Sequence, residues 1–419
     1  MSAPPGGFPP PPGGFLPPPP APAEWLSPEF LEDPYPRLAW LRRCAPVHQV
    51  GASRVFLVAS WQGIEEALAD PACSANLTGV LIRGASGEPE GRAFGGVGDA
   101  SAVLATADPP LHDVHRHVVQ PVLAAGRVVA LEPALRERVA RRLAPFVAGG
   151  GGEFTAAVSD PIPSEVISGL LGFPEEDLAD VMGWAMQGGA MLAGTIGAPA
   201  LRELMRETGR LTAYLARHFA AHRRGAPVLD ALLAAVEEGA LTPGQAIGIG
   251  VVLVGAGGES TASLVGSAVR ILAERPALQA RLREAPRLLP SFVEEAVRLE
   301  SPFRGHYRAV LRPTRLGGVA LEAGDRLLLL WASANRDEAR FERPDELDLA
   351  RRHPRDHLGF GRGIHFCVGA ALARLEARVI LEELLARTRS FALDPLLPPA
   401  YVPSLFVRRL ARLPLRVDA

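Results

Sequence analysis

The run Phe360-Gly361-Arg362-Gly363-Ile364-His365-Phe366-Cys367-Val368-Gly369 puts one thiol on a glycine-bent loop. A long helical pattern follows at once: Gly369-Ala370-Ala371-Leu372-Ala373-Arg374-Leu375-Glu376-Ala377-Arg378-Val379-Ile380. A sulfur at that point meets the unpaired N–H groups of a first helical turn and the positive end of the helix dipole. Both favour the charged thiolate over the thiol, and thiolate is the form that binds a soft metal. The opposing reading is an inert buried cysteine, the usual fate of a lone thiol. The full pattern around Cys367 argues against it.

The run fills every fixed position of Phe-Gly-x-Gly-x-His-x-Cys-x-Gly, the haem-binding loop of the cytochrome P450 family. From about Glu24 to the C-terminus the chain resembles the soluble bacterial branch of that family. The resemblance implies a mainly α fold with a small β region, one haem-binding domain over residues 24–419, and haem b with Cys367 as the axial thiolate of its iron. Phe360 belongs to the same haem contact.

Working upstream, Gly255-Ala256-Gly257-Gly258-Glu259-Ser260-Thr261 lies inside the apolar helical stretch Ile247 to Leu264. Glycine inside a helix costs roughly 1 kcal/mol against alanine, so something must compensate. Close helix packing is one source, with Ser260 and Thr261 bonded back to earlier carbonyls. The resemblance implies another. The helix crosses the distal face of haem, small residues at Ala256 to Gly258 leave room for O2, and a loosened hydrogen-bond ladder admits water. Glu259 with Ser260 or Thr261 then relays protons as a general acid. The family carries acid then threonine, whereas Ser260 follows Glu259 here. Serine keeps the hydroxyl without the methyl that stiffens χ1.

Asp108-Pro109-Pro110 starts a helix on which His112 and Arg116, four apart, share a face. The resemblance makes them haem-edge residues, with Arg308 and His365 as further propionate partners; guanidinium suits carboxylate bidentately. Glu295-Ala296-Val297-Arg298 is by itself a common helix pair. Its place before Ser301-Pro302-Phe303, with Arg351 downstream, resembles the family's internal salt bridge of Glu295, Arg298 and Arg351.

Composition bounds the rest. The chain has 419 residues, 48% of them hydrophobic, and a formal net charge of −2, which argues against nucleic acid or an anionic membrane as partner. It has no lysine. Its three cysteines, Cys44, Cys73 and Cys367, are far apart, so neither a disulfide scaffold nor a zinc site is expected, and the expected compartment is the cytoplasm. The apolar stretch Ala246 to Gly258 reads as a buried helix, not a membrane span. Residues 1–23 read as a Pro/Gly-rich disordered tail. Val47–Val50 and Arg54–Val58 read as a hairpin, and Gly84 to Ser101 as a mobile loop. Helical periodicity dominates from about Leu131, and β signals return at Arg315 to Leu330 and near the C-terminus.

By family position the substrate pocket is lined by Gly84 to Ser101, Gly188 to Thr195, the central helix, Phe303 to His306 and Ser404-Leu405-Phe406. Glu259, Arg304 and Arg92 are its candidate charges. The implied reaction is insertion of one oxygen atom from O2 into a small-to-medium apolar organic substrate by a monomeric enzyme. The chain has no flavin, iron–sulfur or dinucleotide segment, so electrons come from a separate ferredoxin and ferredoxin reductase, with Arg362 a candidate contact. Three rivals stand beside this reading. One is a peroxide-driven enzyme, another a non-catalytic recruitment module on the same fold. The third is a cysteine hydrolase using Cys367 and His365, whose spacing is poor for a base.

Overall fold

The computed structural model describes residues 20–94, 102–221 and 225–419. Most of the expected tail, residues 1–19, and the end of the expected loop, residues 95–101, lie outside these. At the start of the described residues Pro22–Leu26 is a 3-10 helix whose Trp25 and Leu26 are buried.

The helical body is built from α1 (Leu111–Val119), α2 (Glu132–Ala148), α3 (Pro161–Leu171), α4 (Leu178–Leu192), α5 (Ala198–Ala221), α6 (Pro243–Ala273), α7 (Leu289–Leu299) and α8 (Ala370–Arg387). α6 is the axle, and α3, α4, α5 and α8 all pack on it. Its start follows from sequence chemistry. Thr242 Oγ1 accepts from the Gln245 N–H at 3.2 Å, Gln245 Oε1 accepts from the Thr242 N–H at 2.8 Å, and Pro243 opens the first turn. α6 is long and apolar enough to cross a membrane, but it is the core of this fold, with Ile249, Val254, Val265 and Leu272 fully buried. α8 lies along α2. Arg136 of α2 reaches Glu382 and Glu383, and Arg378 of α8 reaches Glu132, a network of partly buried ion pairs.

The expected hairpin is present. β1 (Val47–Gln49) and β2 (Val55–Val58) run antiparallel with Val47 opposite Val58. They belong to a five-stranded sheet with β3 (Cys73–Ser74) at its far edge. The expected loop from Gly84 is in part a strand: β4 (Gly79–Arg83) pairs with β5 (Pro89–Ala93) around a turn at Gly87, whose φ is +86°. Its glycines hid the strand, because Gly91 lies against the Ser53 backbone where a Cβ would sit 2.0 Å from the carbonyl oxygen. β6 (His306–Val310) and β7 (Arg326–Leu329) complete the five-stranded sheet, β7 parallel to β2 and antiparallel to β6.

Candidate active site

The Cys367 loop is closed by local hydrogen bonds. The Cys367 N–H donates to the Phe360 carbonyl at 2.8 Å and the Gly361 N–H to Leu358 at 2.8 Å. Gly361 and Gly363 sit at φ +69° and +70°, where a side chain is strained. Asn335 ties the loop inward, accepting from the Leu358 N–H at 2.6 Å and donating to Ser301 Oγ at 2.9 Å. The sulfur lines an apolar cavity at the head of α8. Burial pushes the Cys367 thiol up, while the Gly369 N–H, Arg374 and Arg116 pull it down.

The opposite wall is α6. Ala256, Gly257, Ser260, Thr261 and Leu264 line the cavity, joined by Leu104, Ile167, Val252 and Phe303. Ser260 Oγ donates to the Ala256 carbonyl at 2.5 Å. The helix runs continuously from Pro243 to Ala273. Gly258 does not face the cavity space expected for O2. It packs on α4, where an added Cβ would lie 2.8 Å from Ala185 Cβ. Packing explains that glycine, while Ala256 and Gly257 keep the cavity role.

Glu259 is also placed differently from the expectation. Its carboxyl is buried behind the helix, 3.3 Å from Arg409 Nε and pressed on Gly189 of α4. Burial pushes it up to about 7, with Arg409 and the Gly189 N–H opposing. Asp160, also beside Arg409, is pushed up to about 6 by burial. Acid and alcohol are sequence neighbours on different faces of α6, since adjacent helical residues diverge.

The cavity rim gathers His112, Arg116, Arg308, Phe360 and His365. His112 and His365 meet edge to face with centroids 4.4 Å apart. Arg116 Nη1 donates to the Ile364 and Phe366 carbonyls at 3.0 and 2.8 Å, so it also pins the cysteine loop. β6 alternates, so His306 and Arg308 turn to the cavity while Tyr307 points back and accepts from the Leu81 N–H. Trp331 Nε1 donates to His306 Nδ1 at 2.6 Å, which leaves the proton of the neutral ring on Nε2. Burial, then Arg308 and His365, push His306 down to about 3. Burial, then Arg308 and His112, push His365 down to about 4.

Behind the sulfur, Glu295 and Arg298 are fully buried and paired at 2.7 Å, and Arg351 Nε joins Glu295 at 2.9 Å. Arg298 also caps the Asn335 and Glu346 carbonyls at 3.0 and 2.8 Å. A second cluster was not read from the sequence. Glu294 binds Arg374 of α8 at 2.7 Å and His357 at 3.0 Å. Burial works against ionisation of Glu294, but those hydrogen bonds outweigh it and hold the carboxyl down at about 2.

The sequence pattern of the family described as Cytochrome P450 matches residues 210–396. Cytochrome P450 144 of Mycobacterium tuberculosis is 39% identical over 397 residues, covering 94% of this chain and 91% of that one. Cytochrome P450 monooxygenase PikC of Streptomyces venezuelae is 33% identical over 411 residues, covering 93% and 92%. The chain belongs to the cytochrome P450 family. The structure of CYP109E1 from Bacillus megaterium in complex with testosterone superposes with a TM-score of 0.82 at 29% identity, covering 94% of this chain and 100% of that one.

The protein is therefore a P450 monooxygenase, an oxidoreductase, and the family implies haem with cysteine thiolate ligation. The donor set fits that group: one soft sulfur on one wall, apolar side chains across from it, and two guanidiniums with two histidines at the rim. Two elements of the expected P450 substrate wall stand back from the cavity. Gly188–Thr195 lies against Glu259 and Leu405, and Phe406 stands behind Phe303 at 4.8 Å between ring centroids. Arg92 is exposed on β5. Arg304 faces neither cavity nor solvent; it is 3% exposed and donates to the Leu31 carbonyl. Arg362 pairs with Glu65 at 3.2 Å. The cavity holds one acid the sequence reading missed. Glu376 of α8 is 2% exposed, with Oε2 unbonded, and burial pushes it up to about 8. Its place nine residues after Cys367 on the face of Leu372 and Ala373 was the available signal.

Proposed function

We propose that the cavity binds haem b with Cys367 Sγ as the residue that would ligate its iron, and that the enzyme inserts one oxygen atom from O2 into a small-to-medium apolar organic substrate. The observation that carries this is one cavity bounded by Cys367 on one side and by Ala256, Ser260 and Thr261 of α6 on the other. Haem bound there would supply the activation of dioxygen; Arg116, Arg308, His112 and His365 would hold its propionates, and Phe360 would pack at its edge. Arg308 is suited to this, being a buried cation at the cavity whose guanidinium otherwise bonds the Tyr307 carbonyl at 2.8 Å.

Ser260 Oγ presents a hydroxyl to the cavity, and Glu259 stores a proton behind the helix. Delivery to Ser260 Oγ requires the Glu259 carboxyl to leave Arg409 and turn around α6 or to act through water. The walls above Ser260 are Leu104, Ile167, Val252 and Phe303, which select an apolar substrate. The testosterone bound by the CYP109E1 neighbour is of that kind. Electrons come from a separate ferredoxin and its reductase, and the enzyme works as a cytoplasmic monomer.

A reduced, carbon monoxide-treated absorption spectrum tests the ligand assignment. A thiolate-type Soret shift that disappears in Cys367→Ala supports it, and an unchanged spectrum in that variant refutes it. Peroxide released per reductant consumed tests the alcohol. Ser260→Ala should raise leakage several-fold; a rise in Thr261→Ala alone would transfer the role to Thr261. Peroxide-supported turnover unaffected by Glu259→Gln would favour a peroxide-driven enzyme.

A further inference from the structure

Where the chain passes from the Phe303 wall into β6, the first residue of the strand is held by neighbours distant in sequence. His306 stands opposite Leu329 of β7, and the Ala332 N–H donates to the Arg304 carbonyl at 3.0 Å, so the turn Trp331–Ala334 is fastened beside it. Gly305 permits that approach, because a Cβ there would collide with the Leu329 carbonyl. The imidazole is fixed on three sides. Phe303 and Phe406 meet it edge to face with centroids 5.3 and 5.4 Å away, and Trp331 lies tilted at 5.9 Å.

The indole Nε1 of Trp331 can only donate, so its 2.6 Å bond to His306 Nδ1 uses that nitrogen as acceptor and keeps the ring proton on Nε2. His306 is deep in the protein yet keeps accessible surface, and it lines the same cavity as Cys367 and Phe303. With Nδ1 turned to Trp331, the Nε2 edge is the part of the ring left to that cavity. Burial, then Arg308 and His365, suppress protonation, so the group is one neutral N–H. A neutral donor adds little against the charge of a propionate, and Arg116 and Arg308 already stand at the rim with two further histidines. The apolar side chains of Leu104, Ile167, Val252 and Phe303 in the same cavity offer a substrate no hydrogen bond.

We propose that His306 is a specificity-determining residue whose Nε2–H binds a carbonyl oxygen on an otherwise apolar substrate. This deepens the monooxygenase reading and rests on it. A ketone, ester or lactone oxygen fits because it accepts without donating. A substrate hydroxyl also accepts, but its own O–H would then need an acceptor among apolar side chains. One fixed polar contact in an apolar site sets the orientation of what binds there.

The test is spin-state titration of the haem-loaded protein with matched pairs: cyclooctanone, decalone and cyclododecanone against cyclooctane, decalin and cyclododecane. His306→Phe keeps the aromatic packing and removes the N–H. It should weaken ketone binding roughly fivefold, the worth of one neutral hydrogen bond, and leave the hydrocarbons unchanged. In His306→Gln the side-chain carbonyl can take the Trp331 N–H while the amide N–H faces the cavity, so ketone binding should return. Equal losses for ketone and hydrocarbon, no loss for either, or a wild type that binds none of the ketones would overturn the inference. So would a His306→Phe protein that treats both classes alike and passes its haem to apomyoglobin several-fold faster, since the N–H would then serve the cofactor. If His306→Phe does not load haem, His306→Met decides by the same comparison. A wild type without a thiolate-type carbon monoxide spectrum sinks the monooxygenase reading and this inference with it. That spectrum with ketone binding unaltered in the variants sinks this inference alone.

Discussion

At the scale of single residues, two carboxyls divide the chemistry by their surroundings. Glu259 is buried beside Arg409 and pushed up to about 7, so it carries a proton below that pH and loses it above. If it serves as proton store, the fraction of reductant converted to product should fall as pH rises through 7. Glu259→Gln should give a lower, flat profile; an unchanged profile would remove Glu259 from the relay. Glu294 is the converse case, held at about 2 against an ordinary 4.5 by His357 and Arg374. A depressed acid stabilises the fold above its unfolded value, and that contribution is lost as pH falls from about 4.5 through 2. A shift of that size corresponds to about 3 kcal/mol. Glu294→Gln should therefore be destabilised by on the order of 3 kcal/mol at pH 7, with the gap from the wild type closing on acidification, as read by denaturant unfolding at each pH.

At the scale of elements, α6 shows how two glycines three apart differ. An added Cβ at Gly255 meets nothing within 4 Å, whereas at Gly258 it meets Ala185 Cβ of α4 at 2.8 Å. Gly255→Ala should stabilise the protein by about 1 kcal/mol through helix propensity and unfolded-chain entropy. Gly258→Ala should destabilise it by about 1–3 kcal/mol through overpacking, since Ala185 has no rotamer to yield. Unfolding midpoints of the pair check both signs. On α7, Arg298→Ala would leave the fully buried Glu295 with Arg351 as its one remaining cation and release the carbonyls of Asn335 and Glu346. The expected cost is about 3–5 kcal/mol, seen as misfolded or haem-poor protein; full haem loading would contradict it.

At the scale of the molecule, what could be read in the chain and what could not divides along sequence distance. The Cys367 loop, the face shared by His112 and Arg116, and the Glu295–Arg298 pair are short-range patterns whose spacing carries their geometry. The hairpin at β1 and β2 was legible for the same reason. The position of the Glu259 carboxyl was not, because Gly189 and Arg409 are distant in sequence and only the packed fold brings them to it. The loss of Gly258 to helix packing, the strand hidden among the glycines of Gly84 to Ala93, and the Glu294–Arg374–His357 cluster share that cause. Arg304 is the clearest instance, since its sequence neighbours suggested the cavity, whereas its guanidinium is buried and donates to the Leu31 carbonyl.

The path of the last residues has a practical corollary. Arg408 and Arg409 are braced on Glu300 and Glu259, Pro414–Asp418 continues as a strand beside Gly151–Glu153, and Ala419 ends exposed. Fusion of an electron-donating module behind Ala419 leaves every one of those braces intact. Trimming the chain back to Val407 to shorten such a tether would instead cut out both guanidiniums, and the engineered product should lose thermal resistance before any gain in electron supply could be seen.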